Sequence, residues 1–222
     1  MATPYRTIKD VTEHETEVRR SRFVCALAPA ETEEAAREFI ALRRRLHSGA
    51  THNCTAYAVG TRLRRADDDG EPGGTAGTPM LEMLTRRGFA DVVAVVTRYF
   101  GGVLLGAGGL ARAYGGAVGE ALDRAAALET VVEMVPATLA TVSIDHGHAG
   151  RLESDLRASS YALRGVDYGA RVTFEVAVTL DGLPGFEDWL ATVTAGRAAA
   201  AFGDLVHLPR GSGGLTPPRR TA

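Results

Sequence analysis

Lysine is nearly missing from this chain. Lys9 is the only one, so arginine supplies the rest of the 25 basic residues. That bias reads as genome composition rather than function. Two cysteines, Cys25 and Cys54, exclude a disulfide framework and a cysteine-based zinc motif. Aromatic residues are only 6% of the chain. The longest apolar runs, such as Val92–Val96, fall far short of the ~20 residues that a membrane-spanning helix needs. The opening stretch, MATPYRTIKDVTEHE, has no apolar segment and does not resemble a secretory signal. Neither sign of charge dominates: the formal net charge is −2. Up to Thr130 the 17 basic residues are matched by 17 acidic ones. A broad cationic grip on nucleic acid is therefore excluded, although a local patch is not. The expectation is a cytoplasmic protein with no membrane partner and no DNA-specific motif.

What is present suits a folded protein of one large or two small domains: 222 residues, 45% hydrophobic, 23% charged. Tyr5–Val11 and Phe23–Leu27 read as strands. Glu31–His47 reads as a helix with an apolar stripe and a cap at Thr32 or Glu31. Cys54–Val59 reads as a strand, Arg65–Gly74 as an acidic loop, and Thr78–Arg87 as a short helix ended by Gly88. Val92–Thr97 is a β-branched run expected at the centre of a sheet. A glycine loop follows, then a helix over Leu110–Ala127.

A second unit begins near Val131. Its expected elements are Thr138–Ile144, Ala149–Ser160, Tyr161–Val166, Arg171–Leu180, Phe186–Val193 and Ala200–His207. They follow the order β-α-β-β-α-β, with a hairpin at Asp167-Tyr-Gly. The expected fold class is α+β, with domains over 1–130 and 131–208. The Gly- and Pro-rich residues 209–222 read as a disordered tail.

Two loops draw attention. In Asp67-Asp-Asp-Gly-Glu-Pro72, clustered oxygens suit Mg²⁺ or the Arg and Lys of a partner. The spacing is not that of an EF-hand, and a solvated turn has the same composition. The second loop carries Gly101-Gly102 and Gly106-Ala-Gly108-Gly109 between a strand and a helix. Bare backbone N–H groups there suit an anion, and Arg98 and Arg112 flank them. Tight turns and close packing call for the same glycines. His52-Asn-Cys54 lacks the third member of a nucleophilic triad, and His146-Gly-His148 lacks further metal ligands. Basic clusters at Arg19-Arg-Ser-Arg22, Arg43–Arg45, Arg62–Arg65 and Arg86-Arg87 matter only if the fold gathers them.

Asp68-Asp-Gly-Glu-Pro-Gly-Gly-Thr-Ala-Gly-Thr-Pro-Met-Leu81 is followed by Val95-Val-Thr-Arg-Tyr-Phe-Gly-Gly-Val-Leu-Leu-Gly-Ala-Gly-Gly-Leu-Ala-Arg-Ala-Tyr114. Together with Ser21-Arg-Phe23 and Thr51-His-Asn53, these segments resemble the YigZ/IMPACT family, in its bacterial two-domain form. The resemblance implies an N-terminal domain similar to domain 2 of ribosomal protein S5. It also implies a ferredoxin-like C-terminal domain similar to those of elongation factor G. By the same resemblance the chain acts in the regulation of translation, with RNA or a ribosome-associated protein as partner. The family signature contains no catalytic constellation.

Two functions follow as expectations. The first is a non-enzymatic binding protein of translation that needs no cofactor. Its candidate partner- or anion-binding residues are Arg22, His52, Asp68, Asp69, Glu71, Arg98, Tyr99, Gly101, Gly102, Gly106, Gly108, Gly109 and Arg112. In it, Arg98 and Arg112 offer guanidinium forks to a phosphate or carboxylate, the two loops line a common cleft, and Asp68, Asp69 or Glu71 pairs with Arg98, Arg112 or a nearby backbone N–H. The second is a Mg²⁺-dependent enzyme of phosphate chemistry, similar to small-molecule kinases. There Asp68, Asp69 and Glu71 hold the metal and Gly106–Gly109 cradle phosphate. The lack of a Lys or Ser/Thr at the usual place in the loop counts against the second.

Overall fold

The computed structural model describes residues 3–60 and 62–210. They form a mixed α+β protein with two antiparallel sheets, in two compact units: the first is Tyr5–Glu133, and the second takes the chain from Met134 onward together with residues 3–4. In the first unit the sheet has the order β2-β3-β6-β4-β5. Its strands are β2 (Thr12–Val18), β3 (Ser21–Pro29), β4 (His52–Val59), β5 (Leu63–Asp67) and β6 (Val92–Tyr99). A short β1 (Tyr5–Ile8) precedes them, tied down where Arg6 N–H donates to Gly88 O and Ala90 N–H to Arg6 O.

Successive residues of a strand point to opposite faces, and both faces of this sheet are covered. Phe23, Cys25, Leu27, Cys54, Ala56, Val92, Ala94 and Val96 pack on one side against α2 (Gly77–Arg86) and α3 (Ala107–Ala127). Ala28, Tyr57, Val93 and Val95 pack on the other side against α1 (Glu33–Leu46). Burial on both faces is why β6 reads as an unbroken apolar run.

The helix ends follow local chemistry. Thr32 Oγ1 accepts from Ala35 N–H at 3.1 Å and caps α1. Gly88, at φ 72°, ends α2 with paired bonds from its own N–H to Thr85 O and from Phe89 N–H to Leu84 O. Within α3, Gly115 and Gly119 bring the helix close to α2. A Cβ at either would meet Pro79 or Met83 at about van der Waals distance.

In the second unit β7 (Val131–Ile144), α4 (His146–Ala158), β8 (Ala162–Tyr168), β9 (Val172–Thr179), α5 (Leu183–Thr194) and β10 (Ala200–Pro209) follow in sequence. The sheet has five strands: it runs β8-β9-β7, and both β10 and the short β1 pair with β7. Val142, Ile144, Phe174 and Val176 of the sheet and Leu152, Leu156, Phe186 and Leu190 of the helices make its core. β6 and β9 belong to different sheets, so each unit has its own apolar core.

Several elements differ from the reading of the sequence. Tyr5–Val11 is not one strand: β1 stops at Ile8, and a second strand, β2, begins at Thr12. β2 reads Thr-Glu-His-Glu-Thr-Glu-Val, with Val18 its one apolar residue, so it offers no hydrophobic alternation; this edge strand buries Thr12 and half-buries His14, Thr16 and Val18. Likewise β5 begins two residues before the acidic stretch and runs into it, ending at Asp67. β7 starts at Val131 rather than Thr138, and α3 starts at Ala107 rather than Leu110. Pro209 closes β10, and the tail from residue 211 onward lies outside the described residues.

Phe23 joins the core to the loops described below. It is fully buried and meets the Tyr114 ring edge-on, with centroids 5.2 Å apart. Phe23→Ala should destabilise the first unit by about 3–5 kcal/mol, read by urea denaturation. A loss under about 1 kcal/mol would show that this contact carries little of the core.

Candidate functional site

The acidic loop is an internal scaffold rather than a solvated turn. Asp68 Oδ1 accepts from the N–H groups of Ala76 and Gly77 at 3.0 and 2.8 Å, and Oδ2 accepts from Gly74 N–H at 2.7 Å. Ala76 stands at the N-cap of α2 and has no side chain able to cap it, so Asp68 does this from eight residues upstream. Burial acts to raise the Asp68 pKa, but the three N–H bonds outweigh it and hold the carboxyl below its ordinary value. Asp69 sits at φ 45°. Its Oδ2 accepts from Asn53 N–H at 2.6 Å and its Oδ1 from Arg44 at 3.1 Å. Its carbonyl accepts from His52 Nδ1–H at 2.8 Å, which leaves His52 Nε2 facing Glu71 at 3.9 Å. Gly77 is required by contact, because a Cβ there would lie 2.7 Å from Asp67 N.

Glu71 points into the interior. Its Oε1 accepts from Arg98 Nη1 at 2.6 Å and from the Tyr114 hydroxyl at 2.7 Å. The two charged side chains are only 3% and 6% exposed. Arg98 Nη2 also reaches Ser21 Oγ at 3.4 Å, and that oxygen accepts from Gly101 N–H at 3.2 Å. The guanidinium lies 5.5 Å from the Phe23 ring centroid and 5.4 Å from that of Phe100. A buried chain, Glu71–Arg98–Ser21–Gly101, thus links the acidic loop to the glycine loop. The space expected to be a cleft between the loops holds these side chains. Arg98 makes one of the pairings expected from the sequence, with Glu71, and is therefore not a free fork for phosphate. Nearby, Cys54 Sγ donates to Asp68 O at 3.0 Å, and burial pushes its thiol pKa up to about 12, far from a nucleophile.

The glycine loop meets solvent. Gly101 is the exception: a Cβ there would sit 1.9 Å from Arg20 O, so only glycine fits. Gly102 and Gly106 have φ of 82° and 73°, and both are exposed. Gly106 is the N-cap of α3 and offers no side-chain bond, while Gly108 and the half-buried Gly109 lie in its first turn. Arg112, exposed on the next turn, makes no ion pair among the described residues. Arg22 and Tyr99 form a separate group at the β3–β6 pairing. Arg22 holds Glu15 through two bonds of 3.0 and 3.2 Å and lies 5.0 Å above the Tyr99 ring, whose hydroxyl meets His47 Nδ1 at 2.8 Å.

Three exposed residues beside the glycine loop lie outside the candidates that the sequence offers. Phe100 is 47% exposed and has one ring face on Arg98. Arg19 and Arg20 form the tip between β2 and β3; Arg19 Nη1 reaches Leu104 O at 3.5 Å, and Arg20 has no bonded partner among the described residues. Arg19 and Arg20 were visible as part of a basic cluster, but the unrecognised β2 hid the hairpin that presents them.

Two outcomes test the scaffold. Glu71→Leu and Arg98→Met alone should each lose about 3–5 kcal/mol of stability, because each strands a buried charge. The double variant should lose much less than the sum, read by a denaturation double-mutant cycle. Strict additivity would mean that the pair is not coupled. For Asp68, the lowered folded pKa means that its stabilisation is complete above the usual aspartate value of about 3.9. It fades as pH falls from there through the lowered value. Asp68→Asn should therefore flatten the acid limb of the stability–pH curve below about pH 4; an unchanged limb would assign it to other carboxylates.

Residues 19–122 match the Impact N-terminal domain and residues 142–197 match a domain of unknown function, DUF1949. The chain is 42% identical over 212 residues to the IMPACT family member YvyE of Bacillus subtilis, covering 95% of this chain and 96% of that one. It is 36% identical over 184 residues to the IMPACT family member YigZ of Escherichia coli, covering 81% and 88%. A crystal structure titled as that of a hypothetical protein superposes with a TM-score of 0.67 at 32% identity, covering 92% of this chain and 99% of that one. Through both of its matched segments and across nearly its whole length, the chain belongs to the YigZ/IMPACT family.

Proposed function

We propose that the chain is a non-enzymatic binding protein that regulates translation by holding single-stranded RNA against the glycine-loop face of its first unit. The regulatory role comes from the family resemblance. The RNA reading comes from the exposed groups. Arg20 and Arg112 are cations without carboxylate partners, and Arg19 makes only a long bond to a carbonyl. The carrying observation is Phe100. The Arg98 guanidinium supports its ring from one side and the ring is nearly half exposed, so it can serve as a stacking platform for an unpaired base. The uncapped first turn of α3 adds backbone N–H groups that suit phosphate.

The same reading assigns the first unit to the type of ribosomal protein S5 domain 2. It assigns the second to the ferredoxin-like type, supported by the order β7-α4-β8-β9-α5-β10 with β7 and β9 central. The carboxylates invoked for a Mg²⁺ site are engaged internally: Asp68 by three N–H groups, and Glu71 by Arg98 and Tyr114.

Fluorescence anisotropy with a short labelled oligouridine tests the proposal. Affinity should fall with salt along a log–log slope of about −0.7 per phosphate contact. Arg112→Ala should make the slope shallower by about 0.7. Phe100→Ala should weaken binding by about 1–3 kcal/mol and leave the slope unchanged. Absence of binding at low salt would overturn the RNA reading. Phosphate release from ATP with Mg²⁺, lost in Asp69→Asn, would replace it with a phosphate-chemistry enzyme.

A further inference from the structure

We propose that Arg19 and Arg20 are the leading phosphate clamp of this RNA face, and that they occupy a hairpin turn whose backbone favours other residues. The proposal rests on the RNA reading above and adds which residues define the face.

Val18 pairs directly with Ser21, so the β2–β3 hairpin reverses in two residues, Arg19 and Arg20. Their φ angles are 48° and 70°. Positive φ at both central positions is the requirement of a type I′ turn, which is filled most readily by Asn-Gly. For an arginine the left-handed region crowds Cβ against the following carbonyl. Two such residues in succession are a standing load on the folded state.

Every other described non-glycine residue at positive φ has an internal reason to be there. Asp69 bonds Arg44 and Asn53 N–H. Asp91 takes the Tyr5 hydroxyl and Gly60 N–H. Glu129 and Ala195 end α3 and α5 with returning backbone bonds. Arg19 and Arg20 have nothing equivalent: one bond of 3.5 Å to Leu104 O for the first and none for the second. Nothing inside the fold accounts for arginine at these two positions. An external anion does.

The clamp also has a rigid mount. The Arg20 carbonyl occupies the space that a Cβ on Gly101 would fill, and Ser21 N lies 2.6 Å from that same point. Gly101 in turn donates its N–H to Ser21 Oγ. The backbone of the tip is thus pressed onto the glycine loop that begins beside Phe100. Two guanidiniums on adjacent residues there suit successive phosphates of a strand whose base stacks on Phe100.

The test is Arg19→Asn with Arg20→Gly, made in the full chain. This pair should raise the Tm of the first unit, because the turn now holds the residues it favours. It should weaken oligouridine binding at least tenfold at low salt and make the salt slope shallower by about 1.4, two contacts' worth. Arg19→Lys with Arg20→Lys should keep both the Tm and most of the slope. A raised Tm with unchanged affinity and slope would overturn the proposal, as would a lowered Tm. If Phe100→Ala and Arg112→Ala weaken binding while the turn variant does not, the RNA reading stands and the clamp fails. If the unaltered chain binds no oligouridine, both fail together.

Discussion

A carboxylate and a guanidinium meet 2.6 Å apart in the interior of the first unit, and much of the unit is arranged around them. Buried charge is tolerable only when each member is matched by an opposite charge. Glu71 brings the acidic loop inward, Arg98 comes from the end of β6, Tyr114 from α3, and Ser21 from the start of β3. Each element is thereby held in a fixed relation to the others. The two long motifs that identify the family lie on opposite sides of this one contact. Their joint presence has a physical basis: neither Glu71 nor Arg98 could stay buried without the other.

This division of labour changes what the acidic loop is for. Read as a string, three aspartates and a glutamate suggest a metal site or an exposed patch. Folded, Asp68 replaces the missing cap of α2, Asp69 anchors the start of β4, and Glu71 is consumed by the ion pair. The loop builds, and the glycine loop presents. Its exposed members, Gly102, Gly106 and Gly108, stand beside cations that no carboxylate neutralises. Phe100 links the two roles, with one face resting on the scaffold through Arg98 and the other side open to solvent.

The glycines of the two motifs act for different reasons, and only coordinates separate them. At Gly101 and Gly77 another chain segment occupies the position of a side chain. At Gly102 and Gly106 the space is open, and the left-handed backbone alone sets the requirement. Gly108 has neither constraint in force: a Cβ there would meet only the Arg112 side chain at 3.7 Å. That leaves bare backbone at the mouth of α3 as its consequence.

By itself the sequence determined the class and most of the elements. Val92–Thr97 declared a central strand because both faces of β6 are buried, and Thr32 and Gly88 marked helix ends through chemistry that is local. The order of elements beyond Val131 was legible for the same reason, since apolar periodicity is a property of consecutive residues. Strand β2 was not legible, because an edge strand that half-buries Thr and His carries no hydrophobic period. The fate of the charged residues was legible only as a choice among pairings. Arg98 and Arg112 look alike as flanks of a glycine loop, yet one is buried against Glu71 and the other is free. A side chain's chemistry is written at its own position, whereas its partner and its exposure are set by residues 27 and 77 positions away, as Arg98 is by Glu71 and Ser21. Only the tertiary structure decided which arginines hold the protein together and which remain to hold something else.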